Sequence, residues 1–240
     1  VNRTDNVKDN MVQQEKPTIA VLGGTGNEGS GLALRWAQAG YRVIIGSRNA
    51  DKAARVCAEL NDVLGRTALT WQDNLTAAKA ADIIVLTVPY AAARATADEV
   101  RSSLDGKILI DATVPLVPPK VARVQLPEGG SAVAQMQAHL GADVRVVAAF
   151  QNVSAHHLRD LAHEVECDVL VCGDDIDARD TVIGLARAIG LRAYHAGPIC
   201  NAAAAEALTS VLIAINSRYK IPGAGIRITG IEADCHAHEQ

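Results

Sequence analysis

Three stretches of the chain carry residue types whose spacing could do chemistry. In the first, the apolar run Ile19-Ala20-Val21-Leu22 leads into Gly24-Thr25-Gly26-Asn27-Glu28-Gly29, and a helix-like segment follows at once. Gly24 permits a tight turn off a strand, Gly26 lets backbone amides approach a pyrophosphate with no Cβ between, and Gly29 allows a helix to pack close on a sheet. The pyrophosphate then meets a helix N-terminus, where unpaired N–H groups and the dipole favour negative charge. Strand before, helix after and a second strand about 20 residues on are the context that makes a lone glycine motif informative. The expectation is a dinucleotide site.

The second stretch is Gly46-Ser47-Arg48 with Lys52 four residues further on, one helical turn away and on the same face. A site selective for NAD places Asp or Glu here to accept from the adenosine ribose. A hydroxyl and two fixed cations suit the 2′-phosphate of NADP instead. Ser47 can at the same time cap the helix that follows, a role compatible with phosphate binding.

The third set lies at strand ends: Thr87-Val88-Pro89-Tyr90, Thr113-Val114-Pro115-Leu116, and Phe150-Gln151-Asn152-Val153-Ser154-Ala155-His156-His157. Ligands of open α/β sheets lie beyond the carboxyl ends of the strands, so these segments should border the cofactor. The prolines stiffen two of them into apolar walls of the kind a nicotinamide ring packs on. Gln151 and Asn152 are placed to hold a carboxamide or a substrate carbonyl. The neighbouring histidines point in different directions and read as surface residues.

These motifs need a scaffold of alternating strands and helices, and the pattern supplies one. Strands are expected at 18–22, 41–45, 81–87, 107–112, 144–150, 168–172 and 192–195, with a short segment at 68–71; helices at about 28–39, 50–64, 74–80, 178–189 and 202–217. The β-branched runs without polar alternation read as strands buried on both faces. The fold class expected is α/β: a doubly wound parallel sheet of Rossmann type with a small C-terminal helical or α+β part. The chain divides into a polar N-terminal extension (1–16), the dinucleotide domain (17–196), a small substrate or dimer part (197–231) and a polar tail (232–240). The last helix is apolar enough to be buried on more than one side, as at a domain or dimer interface.

Composition narrows the partners. Of 240 residues 49% are hydrophobic, but there is one Phe, with two Trp and four Tyr, so the core must be built from Ala, Val, Leu and Ile. A formal charge of −4 argues against nucleic acid or an anionic membrane. No apolar run approaches the ~18 residues of a membrane span, and no h-region marks the N-terminus. Five cysteines without a CxxC pair suit a reducing cytoplasm. Cys235, His236 and His238 lack a fourth ligand and a scaffold, so no metal is expected.

The motifs, taken together with Val171-Cys172-Gly173-Asp174-Asp175, Ala196-Gly197-Pro198-Ile199-x-Asn201 and Glu206-x-Leu208-Thr209, resemble the F420H2:NADP+ oxidoreductases, also called NADPH-dependent F420 reductases. The resemblance runs from about Thr18 to Ile228. It implies NADP along the glycine turn (Gly24 to Gly29), with its 2′-phosphate at Ser47, Arg48 and Lys52, and its nicotinamide half near Val88, Pro89 and Ala155. The deazaflavin coenzyme F420 would then be the co-substrate, in a cleft closed by the C-terminal part and bordered by Gln151 and Asn201. Archaeal members carry His-Thr-Ile-Pro where this chain has Gln151-Asn152-Val153-Ser154.

Hydride transfer between flat rings needs stacking, a separation of about 3–3.5 Å and exclusion of water, but no nucleophile. Consistent with that, the sequence has no Tyr-x-x-x-Lys pair and no Ser-His-Asp set. The catalytic expectation is ring positioning by Thr87, Pro89, Asn152 and Val153 in a cytoplasmic homodimer. Two alternatives stay open on the residues alone: reduction by NADPH of another small acceptor, an imine or a flavin, and a non-catalytic NADPH sensor.

Overall fold

The computed structural model describes residues 16–231. Residues 1–15 of the N-terminal extension and the tail 232–240, with Cys235, His236 and His238, lie outside the described residues.

The β-branched runs form β1 (Ile19–Leu22), β2 (Val43–Gly46), β3 (Leu69–Gln72), β4 (Ile83–Leu86), β5 (Ile108–Asp111), β6 (Arg145–Ala148), β7 (Asp168–Gly173) and β8 (Arg192–His195). They make one eight-stranded sheet in the order β3-β2-β1-β4-β5-β6-β7-β8. The order reverses between β1 and β4, which makes their carboxyl ends the switch point where a dinucleotide lies across an open sheet. The register is flush: Leu22 pairs with both Gly46 and Leu86, Leu86 with Asp111, and Asp111 with Ala148. Every segment singled out for chemistry begins within two residues of that row, apart from the C-terminal ones.

The helices are α1 (Asn27–Gln38), α2 (Ala50–Leu64), α3 (Asn74–Ala80), α4 (Tyr90–Val100), α5 (Ala132–Leu140), α6 (Ala155–Leu158), α7 (Ile176–Arg187) and α8 (Ala202–Tyr219). One layer of core lies under α1, α2 and α7, built on Ile19, Val21, Val43, Val85, Ile110 and Val147. The other lies under α3, α4 and α5, built on Ala20, Leu22, Ile84, Leu86, Leu109 and Val146. Alternate residues of each strand feed the two layers, as burial on both faces requires.

The all-parallel expectation needs correction at one edge. β7 runs antiparallel to β6, with Val147 opposite Gly173 and Ala148 opposite Cys172, and β8 is parallel to β7. The reason lies in the connection: α6 is a single turn, so the chain leaving β6 makes no helical crossover and enters β7 from the same end. Arg35 pins that irregular segment, its guanidinium donating to the carbonyls of His157, Leu158, Asp160 and His163.

The last helix also differs from expectation. Ile199–Tyr219 reaches the length and mean hydropathy (1.5) of a membrane span, with a third of it buried. No unbroken apolar run was visible because Glu206, Thr209, Ser210 and Asn216 interrupt it. The fold buries Ala202, Ala205, Glu206, Ser210 and Leu212 on one side and leaves Val211 exposed on another, so one side only is covered within this chain.

Candidate active site

The glycine turn is built as its spacing demands. Gly23 takes a positive φ of 81°, and a Cβ there would meet Val88 Cγ1 at 2.8 Å. Gly24 is pressed against Val21 O, which a Cβ would approach to 2.8 Å. At Gly29 a Cβ would collide with Thr87 Oγ1, and would stand 2.9 Å from Gly23 O and Gly24 Cα. Gly26 is different. It is exposed, its φ of −84° suits any residue, and its Cβ would meet only Gly23 O at 3.4 Å. Inside the protein nothing needs Gly26 to lack a side chain; a ligand approaching from solvent would.

Gly26 is also the N-cap of α1 and offers no side-chain acceptor. The first amides of the helix, from Asn27 on, therefore face outward unpaired, with the positive end of the dipole behind them. Thr25 is half-buried and Asn27 exposed at this rim. Such a cradle fits a pyrophosphate.

At the end of β2, Ser47 Oγ accepts from Asn49 N at 3.1 Å, closing a small turn. The N-cap of α2 is Asn49, which accepts from Lys52 N at 2.8 Å, so the capping role open to Ser47 belongs to its neighbour. Arg48 and Lys52 are exposed and enter no ion pair among the described residues. Two unpaired cations and a hydroxyl stand together beyond the strand that carries the adenosine half in this fold.

The nicotinamide half has its wall at the end of β4. Thr87 Oγ1 donates to Leu22 O at 2.9 Å, tying β4 to β1 under Gly29. Val88 lies against Gly23, and Pro89 is the exposed N-cap of α4. Beyond them a cavity of about 290 Å³ opens between α4 and α5, lined by Tyr90, Asp111, Thr113, Ala132 and Met136 among others.

The segment after β6 is not arranged as the sequence suggested. Phe150 adopts φ 76°, buried edge-on against Trp36 at 5.8 Å between ring centroids. This left-handed turn directs the next two side chains inward. Gln151 Nε2 donates to Asp111 O at 2.7 Å, and its backbone carbonyl accepts from Thr209 Oγ1 at 2.8 Å. Asn152 is 2% exposed and donates to Asp168 O at 2.7 Å, towards β7. Val153 is buried in the α1-side core with Leu158. The side chains of Asn152 and Val153 thus turn inward, where both hold the β6–β7 corner. Ala155, half-buried, opens α6, which packs on α1 where a Cβ on Gly31 would strike Leu158.

Asn201 is likewise not brought to the strand ends. Its Nδ2 donates to Ala196 O at 2.7 Å, in a turn bonded to Gly173 through Gly197 O. Because β7 runs antiparallel, that turn flanks β6 and β7 instead of lying over the carboxyl edge. The part of α8 that reaches the edge is Glu206 to Thr209. Glu206, 1% exposed, accepts from Ser131 Oγ at 2.7 Å, Ala132 N at 2.8 Å and Val133 N at 3.1 Å. One carboxylate thus satisfies the N-terminus of α5 and locks α8 onto the domain.

Two acidic groups at this edge escaped attention for their charge. Asp111, 1% exposed, has its carboxyl pushed up to about 6 by burial, with Glu206 adding to the shift. Burial, and then the Asp111 carboxylate, push Glu28 up to about 8. A lone acid ending the apolar run Ile108-Leu109-Ile110 was the available signal.

With this geometry in place, comparison with known proteins is informative. Residues 18–115 match the family model described as NADP oxidoreductase coenzyme F420-dependent. The F420-dependent NADP reductase of Methanocaldococcus jannaschii is 40% identical over 222 residues, covering 89% of this chain and 99% of that protein. The enzyme of the same description from Methanothermobacter marburgensis is 42% identical over 220 residues, covering 89% and 98%. The crystal structure of a proposed F420-dependent NADP reductase from Arthrobacter sp. FB24 superposes with a TM-score of 0.75 at 24% identity, covering 89% of this chain and all of that one; at that identity it speaks for the fold.

Proposed function

The chain belongs to the coenzyme F420-dependent NADP oxidoreductase family, and from that premise we propose how its own residues serve hydride transfer between NADP(H) and the deazaflavin F420. The observation that carries the proposal is the flush row of strand ends, with an open-faced Gly26 at one end and the Asp111 cavity at the other.

In this reading the amides of α1 hold the pyrophosphate, and Gly24, Thr25, Gly26, Asn27, Glu28 and Gly29 form the turn around it. Ser47, Arg48 and Lys52 take the 2′-phosphate. Thr87, Val88 and Pro89 support the nicotinamide, which supplies or receives the hydride when bound. Thr87 does so without offering its hydroxyl, already spent on Leu22 O, so its part is to fix the ring's floor. Tyr90, Thr113 and Met136 line the space for the acceptor ring, and Gln151 acts behind them by joining β5 to α8. No side chain is required to form a covalent bond; the protein contributes position and a dry, low-dielectric setting.

We read residues 197–231 as the part that closes the acceptor side and faces a second copy. The apolar side of α8 left open within one chain supports a homodimer, and four free cysteines among the described residues support a reducing cytoplasm. The test of the proposed function is loss of the oxidised deazaflavin absorbance when the protein is mixed with NADPH and F420.

A further inference from the structure

Asp111 closes β5 with its side chain on the same face as Leu109, towards α4 and α5. Its Oδ1 accepts from Thr113 N at 2.9 Å. Its Oδ2 is buried and has no hydrogen-bond partner among the described residues. The residue lines the 290 Å³ cavity, whose other polar residues are Tyr90 and Arg94 from α4, Thr113, and Gln135 and His139 from α5. His139 is already held between Arg94 at 3.0 Å and Asp98 at 2.6 Å, and Glu206 by its three donors. The Asp111 carboxylate adds to the upward shift of Glu28 in the first turn of α1.

A buried carboxylate with one oxygen unpaired is costly, so a proton or a ligand donor belongs on that oxygen. Asp111 stands beside the β4 end, opposite Leu86.

We propose that Asp111 holds the proton that the acceptor takes up as it receives the hydride. The inference rests on the reading of the site as a reductase of the deazaflavin. Asp111 gives its O–H proton to a ring nitrogen of the acceptor, whose ring carbon gains the hydride and electron pair that the nicotinamide C4 loses. One C–H bond breaks and one forms; one O–H bond breaks and one N–H forms; the nicotinamide is oxidised and the deazaflavin reduced. After the reduced acceptor has left, water entering past exposed Arg94 returns a proton to the carboxylate. In the opposite direction the same group accepts the proton. The hydride itself never touches the protein.

The experiment compares the native protein with Asp111→Asn by two readouts. The first is single-turnover reduction of F420 by NADPH between pH 5 and 9. The native rate should fall as pH rises through the titration of Asp111, whose carboxyl burial pushes up to about 6. Asp111→Asn should be slower by about 10²-fold at pH 6 and flat with pH, the range usual for loss of a positioned acid. The second readout is independent of turnover: protons exchanged on binding NADP+ or NADPH, measured calorimetrically in buffers of different ionisation enthalpy. The positive ring of NADP+ favours the ionised Asp111, so the native protein should release a fraction of a proton with NADP+ and less with NADPH; Asp111→Asn should abolish the difference. The native proton count needs no variant, so equal counts with NADP+ and NADPH overturn the proposal even if Asp111→Asn does not fold. Native pH profiles and native proton counts in a folded variant would overturn the proposal while NADP binding stands. Failure of the native protein to bind either nucleotide would instead overturn the reading of the site.

Discussion

Replacing Gly26 and Gly29 separately by Ala distinguishes a ligand cradle from a merely structural turn. A Cβ on Gly29 would sit 2.9 Å from Gly23 O and Gly24 Cα and collide with Thr87 Oγ1. Ordinary contact begins near 3.4 Å, so α1 must retreat by about half an ångström from backbone that cannot yield cheaply, and overpacking of this kind costs about 1–3 kcal/mol. A Cβ on Gly26 meets only Gly23 O at 3.4 Å, and a φ of −84° with ψ of 169° strains no residue. The expected change in stability there is under about 1 kcal/mol, the difference between Gly and Ala at an N-cap. Binding should behave differently. The methyl on Gly26 occupies the space through which the pyrophosphate reaches the α1 amides, and NADPH should bind at least tenfold more weakly, a loss of about 1.4 kcal/mol or more. Gly26→Val should show the same separation more strongly. Urea unfolding gives the stability of each variant and calorimetric titration its NADPH affinity. Gly26→Ala should thus be stable and deficient in binding, Gly29→Ala deficient in both. Native NADPH affinity in a folded Gly26→Ala would refute the cradle.

The native protein should bind NADPH much more tightly than NADH, and Arg48→Ala should weaken NADPH by roughly tenfold or more while leaving NADH nearly unchanged, because a charge-assisted contact contributes about 1.5–3 kcal/mol; equal affinities in the native protein would remove the basis for that role. Glu206→Ala strands Ser131 Oγ and two α5 amides in the interior and should destabilise the fold by about 3–5 kcal/mol in urea unfolding, with a negligible change counting against the cap. Asp111 has a folded pKa of about 6 against 3.8, so the native state holds more protons than the unfolded one between those values and stability falls as pH rises through that window. Asp111→Asn should accordingly gain up to about 3 kcal/mol above pH 6 and little below pH 4; a gain independent of pH would contradict the assignment.

Much of this scaffold was legible because hydrophobic period and turn chemistry act locally. Helices 50–64 and 74–80 have the bounds that their sequence suggests, each started by a side-chain cap, at Asn49 and Asp73. The glycine turn and the 47–52 segment were legible for the same reason. What escaped was set by tertiary direction. Nothing in the pattern of Val169-Leu170-Val171 tells whether that strand runs up or down, and its reversal carries Asn201 to the flank of the sheet. Phe150 at positive φ was equally hidden, since that conformation favours glycine, and it turns Asn152 and Val153 away from the cleft. The helices Tyr90–Val100 and Ala132–Leu140 were not marked, their alanine-rich sequences giving weak apolar stripes. Glu206 stood alone among apolar neighbours, and a buried acid in such a helix is a sign of donors waiting on another element.

The most direct test of the account is to mix the protein with NADPH and oxidised F420 and follow the deazaflavin absorbance band at several pH values. The account predicts rapid loss of the band with NADPH, much slower loss with NADH, and its return when reduced F420 is mixed with NADP+. No turnover of the deazaflavin, alongside measurable turnover of an imine or a flavin by the same protein, would contradict it.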